Sequence, residues 1–175
     1  MKLIEEIFNP KYKLYVDLDG VLVNFEGGVE KLIGGPIHEG NNKKVFWKTI
    51  RKMPEDEVVD FWAGLDWTPD GPDLWRSVVK YEPIILSSPG SSLRELIEKA
   101  KTKWIEKNLK PRPKQVIYER EKWVYASPQA ILIDDMAKQV NPWRENGGIA
   151  LHHAVGKARE TVSKLTDLFY SSEKV

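Results

Sequence analysis

The chain has 175 residues, 41% hydrophobic and 30% charged, with 27 Lys and Arg against 26 Asp and Glu and a net charge of +1. A chain of this length builds one domain with a sizeable core, and its composition excludes wholesale disorder. The charge balance gives no basic footprint for duplex DNA or an acidic membrane, and the absence of cysteine excludes disulfides, thiolate metal sites and cysteine nucleophiles.

A cysteine-free chain suits a reducing cytoplasm. The stretch Met1–Pro10 lacks the apolar centre of a secretory signal, and no window reaches the ~20 apolar residues of a membrane helix, so a cytoplasmic location without membrane contact is expected. Lys13–Val16 predicts the first strand. Gly34–Asn42, rich in Gly and Asn, predicts a loop, and Lys43–Lys52 and Glu55–Ala63 predict two amphipathic helices. Pro72–Tyr81 predicts a helix with proline near its start, followed by a strand at Pro83–Leu86. Ser92 and Glu95 form an S-x-x-E capping box for a helix from Leu93 to about Asn108. Its apolar face is Leu93, Leu96, Ile97, Ala100, Trp104 and Ile105, and Pro111 and Pro113 stop it. Strands follow at Gln115–Tyr118 and Ala130–Ile133, then a helix at Ala137–Asn146 ended by Gly147-Gly148. A fifth strand at Gly148–Leu151 and a helix at Lys157–Phe169 complete the pattern, and Ser171–Val175 are expected to fray.

Most of these strands are runs of consecutive β-branched or Leu residues, as in strands covered on both faces of a parallel sheet. Alternation of strands with helices predicts a doubly wound α/β fold. The interval between the first two strands exceeds an ordinary crossover, so residues 30–70 are expected to form a small helical cap above the carboxyl edge of the sheet. Residues 1–29 and 71–175 then form the core.

The first strand runs into Asp17-Leu18-Asp19-Gly20. Two carboxylates just past a strand lie at the sheet edge where open α/β sheets bind ligands. A turn or helix cap is the plain alternative; a calcium loop is not, because its third oxygen ligand and closing Glu are missing. The fourth strand ends in a second acidic pair, Asp134-Asp135. Up to four carboxylates in one pocket repel, and a hard dication with oxygen ligands compensates them, Mg²⁺ better than zinc. The second strand ends in Ser87-Ser88-Pro89-Gly90, which offers hydroxyl and backbone N–H groups to an anion. Glu119-Arg120-Glu121-Lys122 follows the third strand, with Glu119 and Glu121 read as ordinary solvated charges. His152-His153 is read as structural, since strand neighbours point to opposite faces.

Asp17-Leu18-Asp19-Gly20, Ser87, Lys122 and Asp134-Asp135 together resemble the four motifs of the haloacid dehalogenase superfamily of phosphotransferases. Residues 16–28, with Ser-Ser-Pro after the second strand, look closer still to the 5′(3′)-deoxyribonucleotidases and related bacterial and phage proteins. The resemblance implies a five-stranded sheet of order 3-2-1-4-5 with a cap inserted after the first motif. It makes Asp17 the nucleophile that forms an aspartyl-phosphate and Asp19 the acid that protonates the leaving oxygen and then activates water. Mg²⁺ would be held by Asp17, the backbone carbonyl of Asp19 and Asp134, with Asp135 orienting the site from behind. Ser87, Ser88 and Lys122 would hold the phosphoryl oxygens; Lys99, Lys101 and Lys103 are rivals for the lysine role but lie mid-helix. Phe25, Phe46 and Trp47 match the aromatic residues that enclose the base. Where mammalian members carry Arg after the acidic pair, this chain has Met136, so base and sugar preferences are not carried over.

The expected function is Mg²⁺-dependent hydrolysis of nucleoside monophosphates. The alternatives are a phosphatase on a sugar phosphate or a nucleic-acid terminal phosphate, or a non-catalytic nucleotide-binding module. The resemblance also admits a homodimer.

Overall fold

The computed structural model describes residues 11–171. Met1–Pro10, read as carrying no secretory signal, lies outside them. Of the five residues expected to fray, Ser171 closes the last helix and the other four lie outside the described chain.

Five strands, β1 (Lys13–Val16), β2 (Ile84–Ser87), β3 (Gln115–Tyr118), β4 (Ala130–Asp134) and β5 (Ile149–His152), form one parallel sheet of order β3-β2-β1-β4-β5. Strand alternation divides their side chains between two cores. Leu14, Val16, Ile85, Ile131 and Ile133 face a cluster with Leu74 and Trp75 of α4 (Gly71–Val78), Trp104 and Ile105 of α5 (Arg94–Asn108) and Leu165 of α7 (Ala158–Ser171). Tyr15, Ile84, Leu86, Ala130 and Leu132 face the opposite way, onto Val140 and Trp143 of α6 (Ala137–Glu145). Both faces are covered, which is why the strands read as unbroken apolar runs. Each fully buried Leu, Ile or Val contributes about 1.5–3 kcal/mol.

Three helices intervene between β1 and α4: α1 (Phe25–Ile33), α2 (Asn42–Ile50) and α3 (Glu55–Ala63). Helix α1 is not foreseen in the sequence, because Gly27-Gly28 disfavours a helix interior. Local bonds and packing override that cost. The Asn24 side chain accepts from the Gly27 N–H at 3.0 Å, and Gly34 ends the helix with its N–H on the Glu30 carbonyl. Gly28 allows close contact, since a Cβ there would come 2.1 Å from Leu65 Cδ2. The boundary expected between residues 29 and 30 therefore falls inside α1.

The insert buries Val29, Phe46, Ile50, Val58, Val59 and Trp62 in one cluster, joined by Ile97 and Ala100 of α5. Its two stems are stitched together: the Asn24 N–H donates to the Asp66 carbonyl and the Thr68 N–H to the Leu22 carbonyl, each at 2.8 Å. Trp104 Nε1 of α5 donates to the Leu65 carbonyl at 2.8 Å. The expected Ser92–Glu95 capping box does not form. Leu93 occupies the cap position with φ 57°, no side chain caps the helix, and Leu93 packs against the insert's cluster instead. No helix among the described residues is long and apolar enough to cross a membrane.

Candidate active site

The chain leaves β1 into a tight turn in which the Leu22 and Val23 N–H groups both return to the Leu18 carbonyl, at 2.8 and 2.9 Å. Gly20 lies at φ +79°, and a Cβ on it would sit 2.2 Å from Asp135 Oδ2. Glycine is needed here twice over, for the left-handed backbone and for the approach of Asp135.

Asp17 and Asp134 sit at the ends of the paired strands β1 and β4, 6% and 0% exposed. One oxygen from each of Asp17, Asp134 and Asp135 lies within 4.8 Å of the others. Lys122 answers part of this charge. Its Nζ is 2.7 Å from Asp17 Oδ1 and 2.6 Å from Asp134 Oδ2, and the residue is 1% exposed. It is delivered by a 3₁₀ turn at Lys122–Tyr125. That turn is fastened by Glu119, whose Oε1 accepts from the N–H groups of Arg120 and Glu121 at 2.7 and 3.0 Å. Glu119, read from sequence as a solvated charge, therefore shapes the loop that presents the lysine.

Burial would lower the Lys122 pKa, but the carboxylates of Asp17 and Asp134 and their hydrogen bonds outweigh it, so the ammonium stays charged with its pKa raised. Burial, reinforced by the Asp17 and Asp134 charges, pushes Asp135 up to about 8. Burial and Asp17 push Asp134 up to about 6, against the opposing pull of Lys122. One ammonium does not neutralise three carboxylates, and Asp135 Oδ1 is buried without a hydrogen-bond partner. This donor set, all oxygen and in excess of the local positive charge, fits a hard divalent cation. Asp135, expected behind the metal, stands among the candidate ligands. The Asp19 carboxylate is turned elsewhere.

The folded protein binds protons at Asp134 and Asp135 that the unfolded chain releases near pH 3.8, so their stabilising contribution is full below that pH. It is lost as pH rises through about 6 and about 8. His153, its pKa lowered by burial, acts in the opposite sense below its ordinary value of 6.5. The melting temperature of EDTA-treated protein should therefore fall between pH 6.5 and about 8, and a flat or rising profile would contradict the upward shift at Asp135.

Asp19 is held from the opposite side. Lys101 Nζ of α5 lies 2.8 Å from Asp19 Oδ2, 2.9 Å from Ser87 Oγ and 2.7 Å from the Ser88 carbonyl. Ser87 is fully buried at the end of β2, and Ser88 Oγ accepts from the Gly90 N–H at 3.3 Å. Mid-helix placement is thus no bar to reaching the site. Lys101 occupies the apolar face of α5 beside Ile97, Ala100 and Trp104, and a lysine on such a face is the sequence signal for it.

The three aromatic residues divide. Trp47 reaches the loop after β2, with Cη2 3.5 Å from where a Gly90 Cβ would lie. Phe25 is half-buried and stacks on Trp62 at 6.2 Å. Phe46 is wholly buried, ringed by Phe25, Trp47, Phe61 and Trp62 at centroid distances of 5.6, 5.1, 5.6 and 6.0 Å. It has no face left for a base, so its expected role in base recognition is corrected to a core role. The two histidines also part: His152 Nε2 bonds the Asp135 carbonyl at 2.8 Å, and buried His153 pairs its Nδ1 with Thr161 Oγ1 at 2.8 Å.

No protein-family model matches the chain, and no curated protein matches it. Solved structures do. The chain is similar to a haloacid dehalogenase-like family hydrolase from Streptococcus pneumoniae, with TM-score 0.51 and 15% identity over 91% of this chain and 99% of that one. It is also similar to L-2-haloacid dehalogenase from Xanthobacter autotrophicus with chloropropionic acid covalently bound, with TM-score 0.50 and 11% identity over 79% and 75% of the two chains. At these identities the likeness is one of architecture, and the chain has the α/β fold of the haloacid dehalogenase-like hydrolases.

Proposed function

We propose that the protein is a cytoplasmic phosphatase that hydrolyses nucleoside monophosphates through an aspartyl-phosphate at Asp17. Because one fold serves both dehalogenation and other hydrolyses, the site has to choose the chemistry. The observation that carries the reading is the use of the Lys122 ammonium. Two of its three N–H donors go to Asp17 and Asp134. Among the described residues the third has no partner, nor has the second oxygen of the adjacent Asp17 carboxylate. That pairs an oriented nucleophile with a free cationic donor suited to a phosphoryl oxygen.

In the first step an Asp17 oxygen bonds to phosphorus as the phosphorus–ester oxygen bond breaks, and the departing oxygen takes a proton from Asp19. In the second, water adds to the phosphorus of the aspartyl-phosphate and gives its proton to Asp19 as the Asp17 carboxylate leaves. Ser87 Oγ accepts from Lys101, so its own O–H is free to donate to the phosphoryl group. Asp17, Asp134 and Asp135, with the Asp19 backbone carbonyl, would hold Mg²⁺, which when bound supplies charge neutralisation for the transferring group. The nucleotide part of the reading rests on Trp47, whose Cη2 lies 3.5 Å from where a Gly90 Cβ would sit in the loop after Ser87.

The test is a panel of nucleoside monophosphates and sugar phosphates assayed with Mg²⁺ and with EDTA. Mg²⁺-dependent release of phosphate, greatest on nucleotides, is expected. Preference for sugar phosphates would move the substrate class and keep the chemistry; no release from any phosphomonoester would overturn the function. Trp47→Ala is expected to raise KM for nucleoside monophosphates by roughly 5- to 150-fold, the ~1–3 kcal/mol of one stacked base, with little change for p-nitrophenyl phosphate. Equal losses on both substrates at an unchanged melting temperature would make Trp47 a packing residue.

A further inference from the structure

We propose that Lys101 is a positioning residue that clamps the Asp19 carboxylate for its proton transfers, and that α5 recruits the helical insert into this clamp. The inference rests on the role given to Asp19 above. An ammonium has three donors, and Lys101 spends all of them within the protein, on Asp19 Oδ2, Ser87 Oγ and the Ser88 carbonyl. It is 4% exposed. Unlike Lys122, it has no donor to offer a phosphoryl oxygen without breaking one of these bonds. Its geometry is that of a post tying the turn after β1 to the end of β2. Asp19 needs such a post because its side chain is 26% exposed, and Lys101 is the partner that fixes it.

The lysine is itself held from three sides. One residue before it, Ala100 is buried in the insert's cluster with Ile97. One residue after it, Thr102 Oγ1 pairs with the Tyr118 hydroxyl of β3 at 2.8 Å. One turn on, Trp104 donates to the Leu65 carbonyl in the insert's returning stem at 2.8 Å. The insert therefore braces Lys101, and through it Asp19, from behind.

Proton donation matters in proportion to how badly the leaving group departs unaided. The test is kcat/KM for a series of substituted phenyl phosphates of similar size, from p-nitrophenyl to p-methoxyphenyl, with Mg²⁺ present. The wild type, Asp19→Asn, Lys101→Met and the double variant are compared, with thermal melts alongside. General acid catalysis is worth ~10²–10⁴-fold. Both single variants are expected to lose about 10²-fold on the poorest leaving group and less than about 5-fold on p-nitrophenyl phosphate. The double variant should lose no more than Asp19→Asn. If Lys101→Met does not fold, Lys101→Arg, whose planar fork does not match the three acceptors, is read in the same way. A uniform loss across the series in the Lys101 variant, with a steep profile in Asp19→Asn, would overturn the clamp and leave the function standing. A flat profile in Asp19→Asn would remove the acid role of Asp19, and the clamp with it.

Discussion

Asp17→Asn is expected to lower kcat on every phosphomonoester by at least about 10⁴-fold while the protein stays folded. The amide keeps the volume of the side chain and a partner for Lys122, yet it cannot form the phosphoryl ester. It also removes one of three crowded carboxylates, so the EDTA-treated variant should melt no earlier than the wild type at pH 8 and above. Activity within tenfold of wild type would show that Asp17 only orients the site.

Lys122→Met should fail differently. The lysine is 1% exposed between Asp17 and Asp134, so its removal leaves buried carboxylates with no counter-charge. Breaking a buried pair in this way costs about 3–5 kcal/mol, which urea unfolding in EDTA would read directly. Added Mg²⁺ should restore part of that loss, because a dication supplies the missing charge, whereas turnover should not return. A variant as stable as wild type in EDTA would mean that the acidic cluster is neutralised by its own protonation and not by Lys122.

The sheet is legible in the sequence because its strands are buried on both faces and therefore appear as solid runs such as Ile131-Leu132-Ile133. The acidic pairs are legible for a related reason: a charge directly after such a run has one place to go, the carboxyl edge. What is hidden depends on contacts distant in sequence. Helix α1 contains Gly27-Gly28, where added Cβ atoms would come 2.5 Å from the Asn24 side chain that caps the helix and 2.1 Å from Leu65 Cδ2. Ser92 and Glu95 have the spacing of a capping box, but the start of α5 is set by where Leu93 finds apolar cover in the insert. Phe46 and Trp47 look equivalent as neighbours in sequence. On a helix, neighbours face different ways, and one is core while the other reaches the loop after β2. Lys101 is discounted when its distance from a strand end is weighed, and recovered when its place on the apolar face of α5 is weighed instead.

The most direct test of a covalent mechanism at Asp17 is a pre-steady-state measurement on Asp19→Asn with p-nitrophenyl phosphate and Mg²⁺. This leaving group departs without a proton, so the first step should proceed while the hydrolytic step, which needs a base at Asp19, stalls. The account predicts a rapid burst of p-nitrophenolate equal to one equivalent per protein, followed by slow turnover. Peptide mapping of the quenched protein should then find the phosphoryl group on Asp17. Release without a burst, or a phosphoryl group on another residue such as Asp134, would contradict it.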